Sequence, residues 1–503
     1  MGYPFWDIPI GYGILMAFIG ILHVFVSHFA IGGGLYLVVS ERAARKASDG
    51  ARLEFLQKLS KFFALTTLVI GALTGVGIWF VIGLVNPAAT GVLIHNFVWG
   101  WAIEWTFFVV EIAAAQIYFY GWKSMAPAAH MAVGWIYFVF AWLSLVVING
   151  ILSFMLTPGR WLATGQFWDG FFNPTYLPAL FLRTGISLML ACLYALLVAA
   201  RYPAGDFKAR TVRYTALWGV LGLSATVACQ YWYWKAIPAG IITKALQAMP
   251  TPINSLHYSF WFAGGIALLL VLSGLLVPRN LPFGVAVLLM AAGLAWCGAF
   301  EWFRESVRKP YIVTGYMYGN GVELAQAEQL RKEGYLVRLA FRSGDDDADL
   351  FRHSCRACHT MSGYKALKPS FEGTDRAFIA AIVQNTHLLK GNMPPFLGTQ
   401  SEAQKVADYI ASHLEMRSLG AIYGLQDVEL GRKVYDIRCG CCHVLGGMDD
   451  KTKSFEGLNR GDLENMLDDA ENLGEGMPAF TGSASDRAAL VSFILTLNGG
   501  GKK

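Results

Sequence analysis

Long apolar runs fill the first three fifths of the chain, and a mixed polar sequence makes up the rest. Eight runs are long enough to cross a bilayer as helices, which takes about 20 residues each. They lie at about residues 12–40, 62–86, 98–121, 131–156, 176–200, 212–235, 255–277 and 281–303. Residues 319–503 carry charged side chains throughout, as soluble proteins do. The pattern predicts an all-α protein, in which a polytopic membrane bundle of about eight spans precedes a soluble helical part.

Basic residues are distributed unevenly between the apolar runs. The loops after the first and fifth runs hold Arg42, Arg45, Lys46, Arg52, Lys58, Lys61, Arg201, Lys208, Arg210 and Arg213. The loops after the second, fourth and sixth runs hold only Arg160, Lys235 and Lys244. Because loops rich in Lys and Arg stay in the cytoplasm, we expect the N-terminus outside. An even number of spans then puts the soluble part outside too. The first run is too long for a cleavable signal peptide and is expected to remain as an anchor.

Two pentads near the C-terminus have the form Cys-x-x-Cys-His, at residues 355–359 and 439–443. This form is the attachment site of c-type haem, in which two thiols add to the vinyl groups and the histidine binds iron. The predicted attachment residues are Cys355, Cys358, His359, Cys439, Cys442 and His443. A redox-active or zinc-binding Cys pair is the alternative interpretation.

A Met-Pro loop follows each pentad, with Met393 in Gly391–Phe396 and Met477 in Gly476–Phe480. A methionine on such a loop is the usual sixth iron ligand of small cytochromes c, and it raises the reduction potential. The tail is therefore predicted to contain two small class I-type cytochrome c domains, residues 319–418 and 419–503, after a membrane domain of residues 1–318. Helices are expected near residues 323–341, 401–415 and 485–497.

Composition adds little beyond this division. The net charge of +5 is small for 503 residues and gives no reason to expect a nucleic-acid partner. Four of the eight cysteines are the attachment residues of the pentads. Cys192, Cys229 and Cys297 lie in apolar runs, where packing is the expected role. Cys441 lies inside the second pentad and is expected to be a bystander.

Several ionisable residues interrupt the apolar runs, and each is a functional candidate because charge is costly inside a bilayer. They are His23, His28, Glu104, Glu111, Arg183, His257, Glu301 and Glu305. Glu104 and Glu111 are seven residues apart and so share a helix face. Such a pair suits a proton relay, or one haem ligand plus one relay group. By the predicted orientation, His23, Glu104 and Glu305 lie in the outer half of the membrane, on the side of the haem c domains.

Simpler roles compete with these functional ones. For His23, His28, His95 and His130 the alternative is a hydrogen bond to a neighbouring helix. Residues 32–34, all glycine, allow either close helix packing or room for a porphyrin. Arg183 is expected to pair with a carboxylate or a haem propionate rather than to face lipid. His257 is either a haem ligand or an interfacial histidine.

Two segments resemble subunit I of the cytochrome bd oxidases most closely. Leu22–Val26, followed by the glycines to Gly34, resembles the first-span segment that carries a high-spin haem ligand. Glu305–Tyr311 resembles the family's Glu-x-Gly-Arg-Gln-Pro-Trp signature, whose carboxylate lies at the high-spin haem pair. The resemblance implies that His23 and Glu305 bind haem iron and that Arg308 contacts the cofactor.

Weaker matches extend the resemblance to about residues 10–312. Trp101–Glu104 and Glu111 are similar to the family's pair of third-span acids, and His130–Met131 is similar to the start of its fourth span. The resemblance thus implies a catalytic role in proton transfer for Glu104 and Glu111. It also implies one or more haems b or d in the membrane domain, in addition to two covalent haems c.

The chain departs from this family in three places. The stretches Leu182–Thr184 and Ser259–Ala263 lack the His and Met that hold the family's low-spin haem, and His257 is the nearest substitute. The loop that handles quinol in the family is reduced here to about residues 236–253. The family's final span is missing, and the haem c domains take its place. These changes indicate a different electron donor.

The expected function is that of a bd-like oxidase subunit, which reduces dioxygen at a membrane haem with electrons delivered through haem c. The alternatives are nitric oxide reduction, a quinol-oxidising module that passes electrons outward, and a membrane anchor for a dihaem cytochrome. Expected partners are a second membrane subunit, a periplasmic cytochrome c or other redox protein, and the lipid bilayer. The expected location is the bacterial inner membrane, with the N-terminus and the haem c domains in the periplasm.

Overall fold

A computed structural model describes residues 8–248, 250–389, 392–415 and 417–498. In these residues, eight helical segments are long and apolar enough to cross a membrane. Strand is confined to one short hairpin within the same described ranges. The predicted all-α polytopic bundle is therefore confirmed.

The first four spans occupy the chain up to residue 154. They are α1 (Tyr12–Lys46), a composite second span, α5 (Val98–Tyr120) and α6 (Pro127–Phe154). The second span joins α2 (Gly50–Leu65), a π-helical turn (Thr66–Gly71) and α3 (Ala72–Val85), and α4 (Pro87–Asn96) follows it. This span begins well before the apolar run predicted at 62–86, because the Asp49 side chain accepts a hydrogen bond from the Arg52 backbone and caps a polar first turn.

The last four spans follow two short helices, α7 (Trp161–Thr164) and α8 (Phe167–Phe171). They are α9 (Tyr176–Ala199), α10 (Asp206–Ala236), α12 (Thr251–Leu269) with its π-helical extension (Leu270–Leu276), and α13 (Phe283–Val307). Helix α11 (Ala239–Ala248) lies in the shortened loop between α10 and α12. We call the end of the bundle where α1 begins and α13 ends the upper end.

Helix α9 is the central helix of the bundle, and most of its side chains are buried. It packs against α1, where a Cβ on Gly32 would lie 1.9 Å from the carbonyl oxygen of Ser187. No side chain fits at that distance, so the glycine run serves close helix packing. This outcome favours the packing interpretation at Gly32 over room for a porphyrin.

A buried polar cluster joins three helices at the lower end. The Glu41 carboxylate of α1 accepts hydrogen bonds from Tyr118 of α5 (2.6 Å) and Arg45 (2.6 Å), and His130 Nδ1 of α6 lies 2.9 Å away. Glu41 and His130 are fully buried. His130 thus has the helix-to-helix role that the sequence offered as one of its alternatives.

A short hairpin connects the bundle to the tail. Strands β1 (Tyr311–Val313) and β2 (Met317–Tyr318) pair antiparallel, with Tyr311 opposite Tyr318. The backbone N–H of Thr314 donates to the Met155 carbonyl (3.0 Å), and the Asn86 amide donates to the Gly319 carbonyl (3.1 Å). These bonds attach the segment after α13 to the upper ends of two other spans, α6 and the second span.

The tail forms two apolar cores made of short helices. The first contains α14 (Ala327–Glu333), α15 (Asp346–Ser354), α16 (Lys368–Phe371), α17 (Arg376–Gln384) and α18 (Gln400–Ser412). The second contains α19 (Leu419–Tyr423), α20 (Asp427–Val434), α21 (Arg460–Asp468) and α22 (Ala484–Asn498). The domain limits at residues 318 and 418 stay predictions.

One predicted tail helix is much shorter than expected. Of residues 323–341, only Ala327–Glu333 is α-helical, because Gly334 with φ +82° ends the helix. The Glu402 carboxylate of α18 then accepts the backbone N–H groups of Tyr335 (3.0 Å) and Leu336 (2.9 Å). Glu402 also completes a capping box with Thr399, so one side chain fixes both segments.

Replacing Gly32 with alanine should destabilise the bundle by about 1–3 kcal/mol, because the new methyl group has to displace α9. Thermal unfolding of the purified protein in detergent measures this effect. Gly264→Ala is the matched control, since a Cβ on Gly264 of α12 meets no atom within 4 Å. Equal unfolding midpoints for the two variants would contradict the close α1–α9 contact.

Candidate functional site

The first pentad forms a single helical turn after α15. The backbone N–H groups of Cys358 (3.1 Å) and His359 (2.9 Å) both donate to the Cys355 carbonyl. His359 Nδ1–H donates to the Lys365 carbonyl (3.0 Å), which leaves the Nε2 lone pair available for a metal. Burial lowers the pKa of His359 and so favours the neutral imidazole that binds iron.

The second pentad repeats this geometry. The N–H groups of Cys442 (3.0 Å) and His443 (2.8 Å) donate to the Cys439 carbonyl. His443 Nδ1 lies 3.2 Å from the Asp449 carbonyl and 2.8 Å from its carboxylate. A ring nitrogen held in this way fixes the tautomer and the orientation of a metal-binding histidine.

The predicted methionine ligands lie on loops beside these turns. Met393 packs against the apolar core that also contains Cys355. Met477 is half-buried and follows Gly476, whose φ of +72° turns the loop. Gly391, at the start of the first loop, lies outside the described residues. The two sets of thiols, imidazole and thioether are the donors that haem c requires, so these residues fit the group.

Charged side chains gather at the upper end of α13. Lys309 Nζ lies 2.8 Å from Glu305, and Arg308 forms a second ion pair with the same carboxylate. Lower on the helix, Glu301 contacts Arg304 (2.7 Å) and the buried Arg183 of α9 (3.4 Å). Arg183 thus pairs with a carboxylate, which is one of its two expected roles. The Glu305 side chain keeps 41% of its surface exposed, so it is open to a ligand.

His23 of α1 is oriented by the second span. Its Nδ1 lies 3.1 Å from the Thr74 hydroxyl, which itself donates to the Ile70 carbonyl (2.7 Å). Because the hydroxyl proton is used in that bond, His23 Nδ1–H is the donor and Nε2 carries the lone pair. This is the tautomer that a haem-iron ligand needs, so His23 fits a haem in the membrane domain.

Glu104 and Glu111 both face α6, as their spacing predicts. Glu104 accepts a hydrogen bond from Ser144 (2.9 Å), and Glu111 accepts one from Tyr137 (3.2 Å). Tyr137 also reaches the Ala30 carbonyl of α1 (2.9 Å). The two carboxylates therefore lie in line along the α1–α5–α6 contact, where a proton relay could connect the lower and upper halves.

Sequence reasoning underrated two residues near this region. His28 is 3% exposed, donates Nδ1–H to the Val24 carbonyl (2.8 Å), and keeps Nε2 unpaired among the described residues. His28 therefore bonds to its own helix, whereas the alternative considered from the sequence was a hydrogen bond to a neighbouring helix. Arg304 was overlooked, although its position three residues after Glu301 is typical of an ion pair on a helix. His257 is exposed on α12, apart from the buried charges.

The first pentad docks onto the upper end of the bundle. Arg356 donates to the Ile8 carbonyl (3.4 Å) and lies 5.8 Å above the Tyr12 ring. The Tyr364 backbone donates to the Ile10 carbonyl (2.9 Å). Lys309, paired with Glu305, lies within electrostatic range of the Cys358 sulfur, which carries no charge as a thiol or a thioether. The first haem c site and the Glu305 cluster are therefore neighbours.

Comparisons with known proteins agree with both halves of this description. Residues 14–233 match the family described as cytochrome bd terminal oxidase subunit I. Residues 343–410 and 426–494 match the family described as cytochrome c oxidase, cbb3-type, subunit III. The bd oxidase from Geobacillus thermodenitrificans is similar in structure, with a TM-score of 0.53 and 15% identity over 61% of this chain and 88% of that chain. No curated protein matches the chain.

Its two family matches indicate that the chain is a haem-binding membrane protein of respiratory electron transfer, of the oxidoreductase class. It joins a membrane domain like subunit I of the cytochrome bd oxidases to a tandem of cytochrome c domains.

The positions that hold the family's low-spin haem are occupied differently here. Arg183 pairs with Glu301, and Ser259 accepts a hydrogen bond from Gln230 (3.1 Å). Between α9 and α10, a Cβ on Gly222 would lie 2.3 Å from the Met189 backbone nitrogen. Polar pairs and close helix contact take the place of iron ligands, so these residues do not fit a low-spin haem.

Replacing Cys355 or Cys439 with alanine should each remove about half of the covalent haem, because each thiol belongs to a different attachment turn. Haem staining of the denatured protein on a gel measures covalent haem directly. Cys441→Ala is the control, and it should keep wild-type staining. Loss of staining in the control, or no loss in either test variant, would contradict the assignment of the pentads.

Proposed function

We propose that this chain is the haem-bearing subunit of a bd-like oxidase, which reduces dioxygen in the membrane with electrons supplied through two haems c. The observation that carries the proposal is the docking of the first pentad on the upper end of the bundle, through Arg356 and Tyr364, close to the Lys309–Glu305 ion pair. A haem attached at this pentad would lie next to the site where the family holds its high-spin haems.

The proposed electron route follows the order of contacts between the domains. Cys441 and Cys442 of the second pentad pack against the core of the first cytochrome domain. The first domain in turn contacts α1 and the top of α13. Electrons from a periplasmic redox protein would therefore enter at the second haem c, pass to the first, and continue into the membrane domain.

His23 and Glu305 are the residues proposed to hold a membrane haem, with Arg308 beside Glu305 as a contact for the cofactor. Such a haem supplies the redox and oxygen chemistry, whereas the chain binds it, orients it and delivers protons. The bond to the Thr74 hydroxyl would keep the Nε2 lone pair of His23 available to the iron. The Arg183–Glu301–Arg304 ion pairs hold α9 against α13 beneath this region.

Glu104 and Glu111 are proposed to supply protons, because water formation consumes protons together with electrons. Glu111 lies below Glu104 on α5, and Tyr137 and Ser144 of α6 are hydrogen-bonded to them in the same order. A proton from the cytoplasmic side would thus reach Glu111 first. This proton route does not pass through a loop on the periplasmic side. It agrees with the orientation inferred from the basic loops, in which the upper end of the bundle faces the periplasm.

The proposed location is the bacterial inner membrane, with the upper end of the bundle at the periplasm. Haem c is attached on that side, in agreement with the charge distribution of the loops. Helix α5 has a broadly exposed apolar surface that includes Trp99, Trp105 and Tyr120. A second membrane subunit is proposed to share this surface with lipid.

Difference spectra of the purified protein, reduced minus oxidised and with or without carbon monoxide, test the proposal. We expect haem c bands together with a membrane haem whose spectrum shifts on carbon monoxide binding. His23→Ala should lose that shift, and His95→Ala, which changes an exposed histidine on α4, should keep it. Haem c bands alone in the wild-type protein would contradict the oxidase proposal.

Thr74→Val should lower the affinity for non-covalent haem by about 10–100-fold, because His23 loses the acceptor that fixes its tautomer. The purified variant should therefore contain less of this haem. Acid–acetone extraction separates this haem from the covalent haem and allows the ratio to be measured. Thr67→Val is the matched control, since the Thr67 hydroxyl donates only to the Phe63 carbonyl (2.9 Å) of its own span. Equal haem content in the two variants would argue against an iron ligand at His23.

A further inference from the structure

A buried arginine lies at the contact between the two cytochrome domains. Arg438 immediately precedes Cys439 and is only 7% exposed. Its guanidinium donates to the Gly373 carbonyl of the first domain (2.8 Å) and to the Thr481 hydroxyl of the second (3.1 Å). One side chain thus bonds to both domains.

Two aromatic rings enclose the same guanidinium. Its central carbon lies 5.5 Å from the ring centroid of Phe378 in the first domain and 5.5 Å from that of Phe480 in the second. Phe378 lies on α17 and belongs to the apolar core against which Cys355 and Met393 pack. Phe480 closes the loop of Met477. The cation therefore lies between α17 of the first domain and the Met477 loop of the second, held partly by cation–π attraction.

The guanidinium of Arg438 is a charged group in a buried position. Burial lowers the pKa of Arg438, and the carboxylates of Asp486 and Asp375 oppose that shift. Arginine stays protonated in proteins, so a positive charge persists where water is largely excluded. A weakly screened cation favours the reduced form of a nearby haem, because reduction removes one positive charge from the iron.

We propose that Arg438 is a positioning residue that fixes the two cytochrome domains against each other and raises the reduction potential of the second haem. The inference rests on the proposed electron route through the two haems c. A higher potential at the second haem makes it a better acceptor for the external donor. The same contact keeps that haem beside the first one.

Spectroelectrochemical titration of the purified full-length protein tests the electrostatic part. Arg438→Gln should lower the reduction equilibrium constant of one haem c by about tenfold, which is about 59 mV for one electron. Arg432→Gln is the matched control, because it removes an exposed charge of α20 in the same domain. The control should shift neither haem by more than about twofold. Equal titration curves for the two variants would overturn the proposal.

Arg438→Lys separates the effect of the charge from the positioning of the two domains. It also allows the test if the glutamine variant does not incorporate haem. Lysine keeps the charge but cannot make both hydrogen bonds of the planar guanidinium. We expect both reduction equilibrium constants to stay within about twofold of the wild-type values. We also expect hydrogen exchange in residues 373–378 to become faster. A tenfold fall in this variant would overturn the role of charge, and unchanged exchange would overturn the role in positioning.

These outcomes are distinct from a failure of the proposed function. If the wild-type protein carries no covalent haem, the electron route itself is wrong. If it carries two haems whose reduction potentials do not change in the Arg438 variants, only the role assigned to Arg438 is wrong.

Discussion

The contact between the first pentad and the top of the membrane bundle is the constraint on which the functional interpretation depends. Electron transfer requires the covalent haem to lie near the membrane site, and a flexible tether would not hold it there. One backbone hydrogen bond from Tyr364 and the contacts of Arg356 connect the pentad region to residues 8–12. The hairpin after α13 is bonded to Met155 and Asn86 of the bundle, and its Tyr318 packs against the core of the first cytochrome domain.

Three carboxylates of the bundle are paired with basic side chains, which offsets the cost of a charge in an apolar medium. Glu301 lies between Arg183 and Arg304, Glu41 lies among Arg45, Tyr118 and His130, and Glu305 lies between Arg308 and Lys309. The first two clusters are closed and join helices. Glu305 alone of these three carboxylates keeps a large exposed surface, which separates a binding role from a structural one.

The positions that resemble the family's low-spin haem site hold polar pairs instead of iron ligands, which supports the proposal of a different electron donor. The residue at the place of the histidine ligand is an arginine that joins α9 to α13, and the second ligand stretch contributes a serine to α10. Both changes keep the helices together without a porphyrin. In the proposed function, covalent haems at the upper end would supply the electrons instead, so the loss of one cofactor and the gain of another would be two parts of the same change.

The amino-acid sequence by itself determined the eight spans, the pentads and the resemblance of the membrane part, because apolar length and ligand spacing are local properties. It also predicted that Glu104 and Glu111 share a face, since helical periodicity is local too. Two helix ends differed from the prediction. The second span begins at Gly50, because a cap extends the helix, and the helix expected at 323–341 ends before Gly334.

Only the tertiary structure decided what each intramembrane side chain faces. The sequence left packing and cofactor roles open for the glycines at 32–34 and for the histidines of α1. The structure shows that Ser187 lies against Gly32, that Thr74 orients His23, and that His28 bonds to its own helix. The position of Arg438 between two domains was equally invisible in the sequence, because residues 373, 378 and 438 meet only when the two domains dock. Such contacts depend on chain segments that are distant in sequence, and no local pattern encodes them.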